Sequence, residues 1–342
     1  MGSSGSKYKE PRAILTKWLP GFAATLPSLT GKVVAVTGCT SGTGYVCARE
    51  CARKGAHVIL LNRASSRATA AEDKLRKEVP GAVLTSLECD LTSFASVQKA
   101  ARALTTSFAS TGIDVLCNNA GVMALADEAT GDGFDVQMQT NHLSHFLLTR
   151  EVFPLLEKAA ELRGESRVVN HSSMAARIGK PLDEKYLGKN GGNLGGNGNS
   201  MIFGGARWLR YHQTKLANVV FTYALSDRLK AAGKDRIKVL CAAPGLAATN
   251  LQVPLFSFQV GDLAQWKCSL MICAHHRSLP LPMMVSMTHG SCPSVNLQRT
   301  VPCPSYTVVF RRTSAQGISS NLRLQASKVD RACTCDSTVD LC

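Results

Sequence analysis

Apolar and polar positions in this chain follow two periods that take turns. Strand-like segments recur at Val33-Val34-Ala35-Val36, Ala82 to Cys89, Ile113 to Cys117, Ser166 to Ser172 and Ile237 to Ala243, and Ala56 to Leu61 is a continuous apolar run. Runs of this kind predict strands covered on both faces, as a buried parallel sheet requires. Between them lie segments of helical spacing: Tyr45 to Lys54, Ala68 to Glu78, Thr92 to Ser110, Gly133 to Arg163 as one or two helices, and Trp208 to Ala232. Strands alternating with helices of this length predict an α/β protein, a doubly wound parallel sheet with right-handed crossovers. Ligands then bind at the carboxyl ends of the strands.

The first strand feeds Thr37-Gly38-Cys39-Thr40-Ser41-Gly42-Thr43-Gly44, after which a helix begins. A glycine-rich strand-to-helix turn of this kind suits a pyrophosphate, because unpaired N–H groups face it and no Cβ obstructs its approach. The spacing is Gly-x-x-x-Gly-x-Gly, unlike the commoner dinucleotide fingerprint, but the Rossmann-type context is the same. At the end of the second strand, Asn62-Arg63 offers no acid for a ribose 2'-hydroxyl. Arg63, assisted by Arg67, therefore argues for NADP(H) over NAD(H). Farther on, Tyr211 and Lys215 are four apart on a predicted helix and share a face. An ammonium there is expected to lower the phenol pKa from about 10 and make Tyr211 an acid/base near neutrality.

Composition narrows the picture. Aromatic residues at 6% are too few for a stacking platform along single-stranded nucleic acid, and the +15 formal charge is scattered without forming a stripe, so no nucleic-acid partner is expected. Six cysteines, Cys39, Cys47, Cys51, Cys89, Cys117 and Cys241, fall in predicted strands, helices or the glycine-rich turn, where a free thiol acts as a small hydrophobe. A reducing compartment, cytoplasmic or organelle-stromal, follows by default. No apolar run is long enough to span a membrane, and Lys17, Pro20 and Pro27 interrupt the signal-like stretch from Ala13 to Leu29. The start Met1-Gly2-Ser3-Ser4-Gly5-Ser6 fits N-myristoylation at Gly2, with Lys7, Lys9 and Arg12 as an electrostatic second signal for weak peripheral membrane association. His142, His145, His171 and His212 lack metal-ligand spacing and read as structural, so no metal is expected. The Gly- and Asn-rich stretch from Leu187 to Gly205 favours a mobile loop.

Taken in order, the turn Thr37 to Gly44, Asn118-Asn119-Ala120-Gly121, Asn141, Ser173 after the fifth strand, Tyr211-x-x-x-Lys215 and Pro244-Gly245-x-x-x-Thr249 resemble the short-chain dehydrogenase/reductase family. The wording Tyr211-His212-Gln213-Thr214-Lys215-Leu216-Ala217-Asn218 is most similar to its retinol-dehydrogenase-like branch, which is close to protochlorophyllide reductases. The resemblance implies that Tyr211 exchanges the proton of a carbonyl/alcohol pair, Ser173 (with Ser172 its rival) steadies the oxygen, and Lys215 holds the nicotinamide ribose. It also implies that Asn141 anchors a relay water and Asp90 lies by the adenine. Cofactor contacts are implied for Thr37, Gly38, Ser41, Gly42, Gly44, Arg63, Asn118, Ala120, Gly121, Tyr211, Lys215, Pro244, Gly245 and Thr249. The implied activity is NADP(H)-dependent interconversion of a carbonyl and an alcohol on a hydrophobic retinoid, steroid or lipid-like molecule, by a homodimer or homotetramer.

Thr43 departs from the family's usual apolar residue, and the resemblance stops near Val253. This divides the chain into an N-terminal extension over 1–28, the cofactor-binding domain over 29–253 and a non-homologous, poorly ordered tail over 254–342, in which only Tyr306 to Phe310 has the pattern of a strand. Two other readings stay open: light-driven reduction of a porphyrin ring, and an NADP(H)-binding interaction or sensor protein whose turnover is impaired by the altered C-terminus.

Overall fold

The computed structural model describes residues 18–178, 180–198 and 204–245, with short strand pairings at 271–273, 308–309 and 325–326. Gly2, Thr249 and most of the 254–342 tail lie outside the described residues. In chain order the elements are α1 (Trp18–Thr25), β1 (Val33–Thr37), α2 (Gly42–Arg53), β2 (His57–Asn62), α3 (Ser66–Glu78), β3 (Leu84–Glu88), α4 (Phe94–Ser107) and β4 (Val115–Asn118). There follow α5 (Val136–Met138), a π-helical turn (Gln139–Leu143), α6 (Ser144–Glu151), α7 (Phe153–Arg163), β5 (Ser166–His171), α8 (Ala206–Ala231) and β6 (Ile237–Ala243).

The strand order is β3-β2-β1-β4-β5-β6, all parallel, with β7 (Met271–Cys273) added antiparallel beside β6. A three-residue strand thus covers the edge that a six-stranded sheet would leave open. The candidate strand in the tail pairs elsewhere: Val308–Val309 joins Gln325–Ala326, within a separate unit over 287–342.

Strand β1 explains the double winding. All five of its residues are buried, and they alternate between two cores: Val33 and Ala35 join the side chains of α4, α6 and α7, while Val34 and Val36 join those of α2 and α3. Burying a Val or Leu side chain contributes about 1.5–3 kcal/mol, so both faces hold the sheet. Asp114 sets the register at its foot, accepting from Val33 N at 2.8 Å and pairing with Arg163 at 2.6 Å.

The long helical stretch expected over 133–163 is interrupted twice. The π turn offsets the backbone ladder at Asn141, and Pro154, which has no N–H to donate, starts a fresh helix after Val152. Both breaks matter below.

Candidate active site

Sequence order reverses between β1 and β4, and the crevice above this switch point is where open α/β sheets bind ligands. Two glycines there are required by close approach. Gly38 has φ of 70°, and a Cβ on it would lie 2.8 Å from Ala120 Cα; a Cβ on Gly44 would lie 2.3 Å from the Gly38 carbonyl oxygen. The turn is thus pressed against Asn119 and Ala120. At its end Ser41 is extended and gives α2 no side-chain cap, which leaves the N–H groups of the first turn as anion donors.

Several residues expected at the cofactor stand behind the crevice wall. The Thr37 hydroxyl accepts from Asn119 N and Ala120 N, both at 3.0 Å, and faces His145 Nε2 at 2.9 Å. With two N–H groups already aimed at that oxygen, its own hydrogen goes to Nε2, and His145 Nδ1–H donates to the Asn141 carbonyl at 3.1 Å. Burial first of all pushes the His145 pKa down to about 4, so the ring is neutral at pH 7. Asn118 likewise points inward, donating to Asn170 Oδ1 at 2.9 Å and Thr149 Oγ1 at 3.0 Å. Thr37 and Asn118 hold the turn from within, their side chains almost fully buried.

Asn119 is the residue that sequence reasoning undervalued. Its amide donates to the Thr37 carbonyl at 2.9 Å, and its Oδ1 accepts from Thr43 Oγ1 at 2.9 Å and His171 Nδ1 at 3.0 Å. Thr43, the departure from the family pattern, is therefore a working tie between the turn and the second loop. Asn62 Oδ1 accepts from Cys39 N at 2.7 Å, and Arg63 beside it is exposed. Asp90 caps its own turn, accepting from Thr92 N at 2.9 Å, and stays half-buried at the end of β3.

The acid/base pair sits on α8. Tyr211 and Lys215 are 5% and 4% exposed, and Lys215 Nζ lies 5.7 Å from the Tyr211 ring centre. The Tyr211 hydroxyl is hydrogen-bonded to Ser173, whereas Ser172 Oγ donates to the Lys215 carbonyl at 2.9 Å. Ser173 is thus the serine that faces the phenol, and Ser172 anchors the helix. The pKa expected for Tyr211 needs correction. Burial raises it and the Ser173 hydrogen bond opposes this only in part, while burial pushes Lys215 down to about 8. The ammonium is spent on the His171 carbonyl, at 3.1 Å, rather than on the phenol oxygen. Tyr211 therefore stays protonated through neutral pH, ready to donate.

Asn141 packs against the same helix. Its side chain brackets Val122, accepting from the N–H at 2.7 Å and donating to the carbonyl at 2.9 Å, and it also donates to Thr214 Oγ1 at 2.9 Å. Gly121 lies between them: a Cβ there would be 3.2 Å from Asn141 Oδ1 and 3.4 Å from Lys215 Nζ. Gly245, with φ of 69°, follows Pro244 beyond β6. Around Tyr211 the wall is apolar, formed by Met123, Ala124, Ala175 and Trp208. Ala124 adopts φ of 52°, a left-handed conformation that a non-glycine residue rarely takes.

The Gly- and Asn-rich loop is not loose over its described part, 188–198. Asp127 Oδ2 accepts from Leu194 N at 2.8 Å and Gly196 N at 2.7 Å, and Arg210, fully buried, donates to the carbonyls of Gly196 at 2.9 Å and Leu125 at 3.0 Å. Arg210 also stands 3.2 Å from Asp135 and 3.7 Å from Asp127. Composition suggested mobility because glycine and asparagine form no core, but a buried cation can order such a loop through its carbonyls. Arg210, and the contacts of Asn218 with Asn141 and His171, escaped the sequence reading, since the partners are far away in the chain.

Comparison with known proteins agrees with this geometry. The short chain dehydrogenase family model matches residues 32–188. An uncharacterized oxidoreductase of Schizosaccharomyces pombe is 36% identical over 228 residues, 66% of this chain and 63% of that protein. The chain thus spans less than two thirds of that relative's length. Retinol dehydrogenase 14 of Mus musculus is 33% identical over 250 residues, covering 69% of this chain and 68% of that one. A crystal structure of an uncharacterized protein from Mycobacterium paratuberculosis is 38% identical, with a TM-score of 0.53 over 68% of this chain and 74% of its own. With the strand order, the glycine-rich turn and the Tyr211–Lys215 helix in place, the chain belongs to the short-chain dehydrogenase family, on its retinol-dehydrogenase-like branch.

Proposed function

We propose that this oxidoreductase interconverts a carbonyl and an alcohol on a hydrophobic small molecule, using NADP(H). The observation that carries the reading is the Tyr211 hydroxyl, hydrogen-bonded to Ser173 inside an apolar wall and one helical turn from Lys215. A bound nicotinamide cofactor supplies or accepts the hydride. The uncapped α2 terminus, Ser41 and Gly42 would hold its pyrophosphate, Asp90 its adenine end, and Ala120, Gly121, Pro244 and Gly245 would border it. In reduction, the Tyr211 phenol donates its proton to the oxygen that becomes the alcohol, and Ser173 steadies that oxygen. Lys215, ammonium below about pH 8, would hold the ribose and meet the charge left on Tyr211. The apolar residues around Tyr211 favour a substrate whose body is hydrocarbon, such as a retinoid, steroid or lipid aldehyde or ketone.

The preference for NADP(H) rests on Asn62 and Arg63. An acid at position 62 would repel a 2'-phosphate; here an asparagine is committed to Cys39 N, and the exposed Arg63 offers a guanidinium fork. Arg63→Asp is expected to weaken NADPH binding roughly tenfold to a hundredfold and leave NADH little changed, measured by cofactor fluorescence. A wild-type protein that binds NADH as tightly as NADPH would contradict the assignment.

A further inference from the structure

Asn218 lies three residues after Lys215 on α8, on the same face and 4% exposed. Its amide nitrogen donates to two carbonyls at once, Asn141 at 3.1 Å and His171 at 3.0 Å. Its oxygen lies 3.0 Å from His142 Nδ1. Because an amide oxygen only accepts, His142 must carry its hydrogen on Nδ1, and that bond fixes which way the amide faces. Asn141 sits in the π turn, and its carbonyl accepts from two side chains, His145 Nδ1 at 3.1 Å and Asn218 Nδ2. The His171 carbonyl, in turn, is shared by Asn218 and Lys215 Nζ.

We propose that Asn218 is a positioning residue for the Tyr211–Lys215 pair: its amide ties the carbonyls of Asn141 and His171 together and fixes the acceptor that orients the Lys215 ammonium. The inference deepens the proposed function and rests on it for the kinetic arm of the test only. Physically, a side-chain amide in place of water removes a mobile partner. It keeps Lys215 dry, in line with the burial that depresses its pKa. The groups facing Lys215 are Tyr211 on its own helix, His171 at the end of β5, His145 on α6 and Cys241 on β6, with His142 beyond Asn218. The three histidines are held neutral by burial.

Asn218→Ala opens room for water between the two carbonyls, and Asn218→Ser keeps one donor. The first readout needs no turnover: carbon NMR of the lysine Cε atoms in the full chain, with Lys215→Ala to assign the resonance. Lys215 should titrate near 8 in the wild type and move up toward the ordinary 10.5 in Asn218→Ala, with Asn218→Ser between them. In the kinetic arm, kcat for reduction of an apolar aldehyde should fall about tenfold or more in Asn218→Ala while NADPH affinity stays unchanged within error. If Asn218→Ala does not fold, Asn218→Ser alone decides by the same two readouts. Equal Lys215 titration in wild type and variants overturns the proposal. So does a kcat that is unaffected, or one that falls only in step with cofactor affinity and melting temperature. A wild type that reduces no carbonyl compound removes the proposed function instead, and the NMR titration still decides on Asn218.

Discussion

Tyr211→Phe is expected to lower turnover by roughly 10²-fold to 10⁴-fold while leaving NADPH affinity unchanged, because it removes one transferable proton and almost no volume. The structure sharpens this in two respects. Burial raises the Tyr211 pKa and the Ser173 hydrogen bond pulls against it, so the phenol is the proton-bearing form at neutral pH and acts as donor in the reductive direction. Ser173, the neighbour that steadies the substrate oxygen in this reading, is not expected to replace the lost acid. Steady-state kinetics with a fluorescence titration of the cofactor measures both quantities. Retained turnover in the phenylalanine variant would move the acid role elsewhere.

Arg210→Ala should destabilise the protein by about 3–5 kcal/mol, the usual cost of removing one partner from a buried ion-paired cluster. The guanidinium is fully buried between Asp127 and Asp135, themselves almost fully buried, and its loss would leave two carboxylates without a cation and the carbonyls of Leu125, Leu194 and Gly196 without a donor. Arg210→Lys should rescue only in part, since an ammonium cannot span three carbonyls in a planar fork. Denaturant unfolding measures the loss. The 188–198 loop should then become protease-sensitive before the sheet does, because Asp127 and Arg210 are what pin its backbone. Since Tyr211 is the next residue, activity should fall with the loop. A variant with unaltered stability would show that the cluster contributes nothing.

Strands β1 and β2 were readable because they are largely apolar runs, and a strand such as Val33–Thr37 that is buried on both faces leaves little other choice. Strand β6 keeps the expected limits, whereas α2 begins earlier than its apolar pattern because glycines 42 and 44 enter the helix as its first turn. What the sequence could not give was direction. Thr37 and Asn118 belong to the motifs that border the crevice, yet their side chains point into the sheet, a fact fixed by His145 and Asn170 from distant segments. The ties of the 188–198 segment were hidden for the same reason, as local composition carries no trace of a cation arriving from α8. The sign of the Tyr211 shift also depended on geometry, since spacing of four places an ammonium near the ring but cannot say that a backbone carbonyl takes its hydrogen bond.

One measurement bears most directly on the account: the consumption of NADPH by the full chain when it is offered apolar aldehydes and ketones, followed by loss of the reduced-nicotinamide signal. Wild-type protein is expected to oxidise NADPH with an apolar carbonyl compound and form the corresponding alcohol, and Tyr211→Phe under the same conditions is expected to bind NADPH without consuming it. Tight NADPH binding by the wild type with no consumption across the whole panel would contradict the catalytic reading and leave a cofactor-binding protein without turnover.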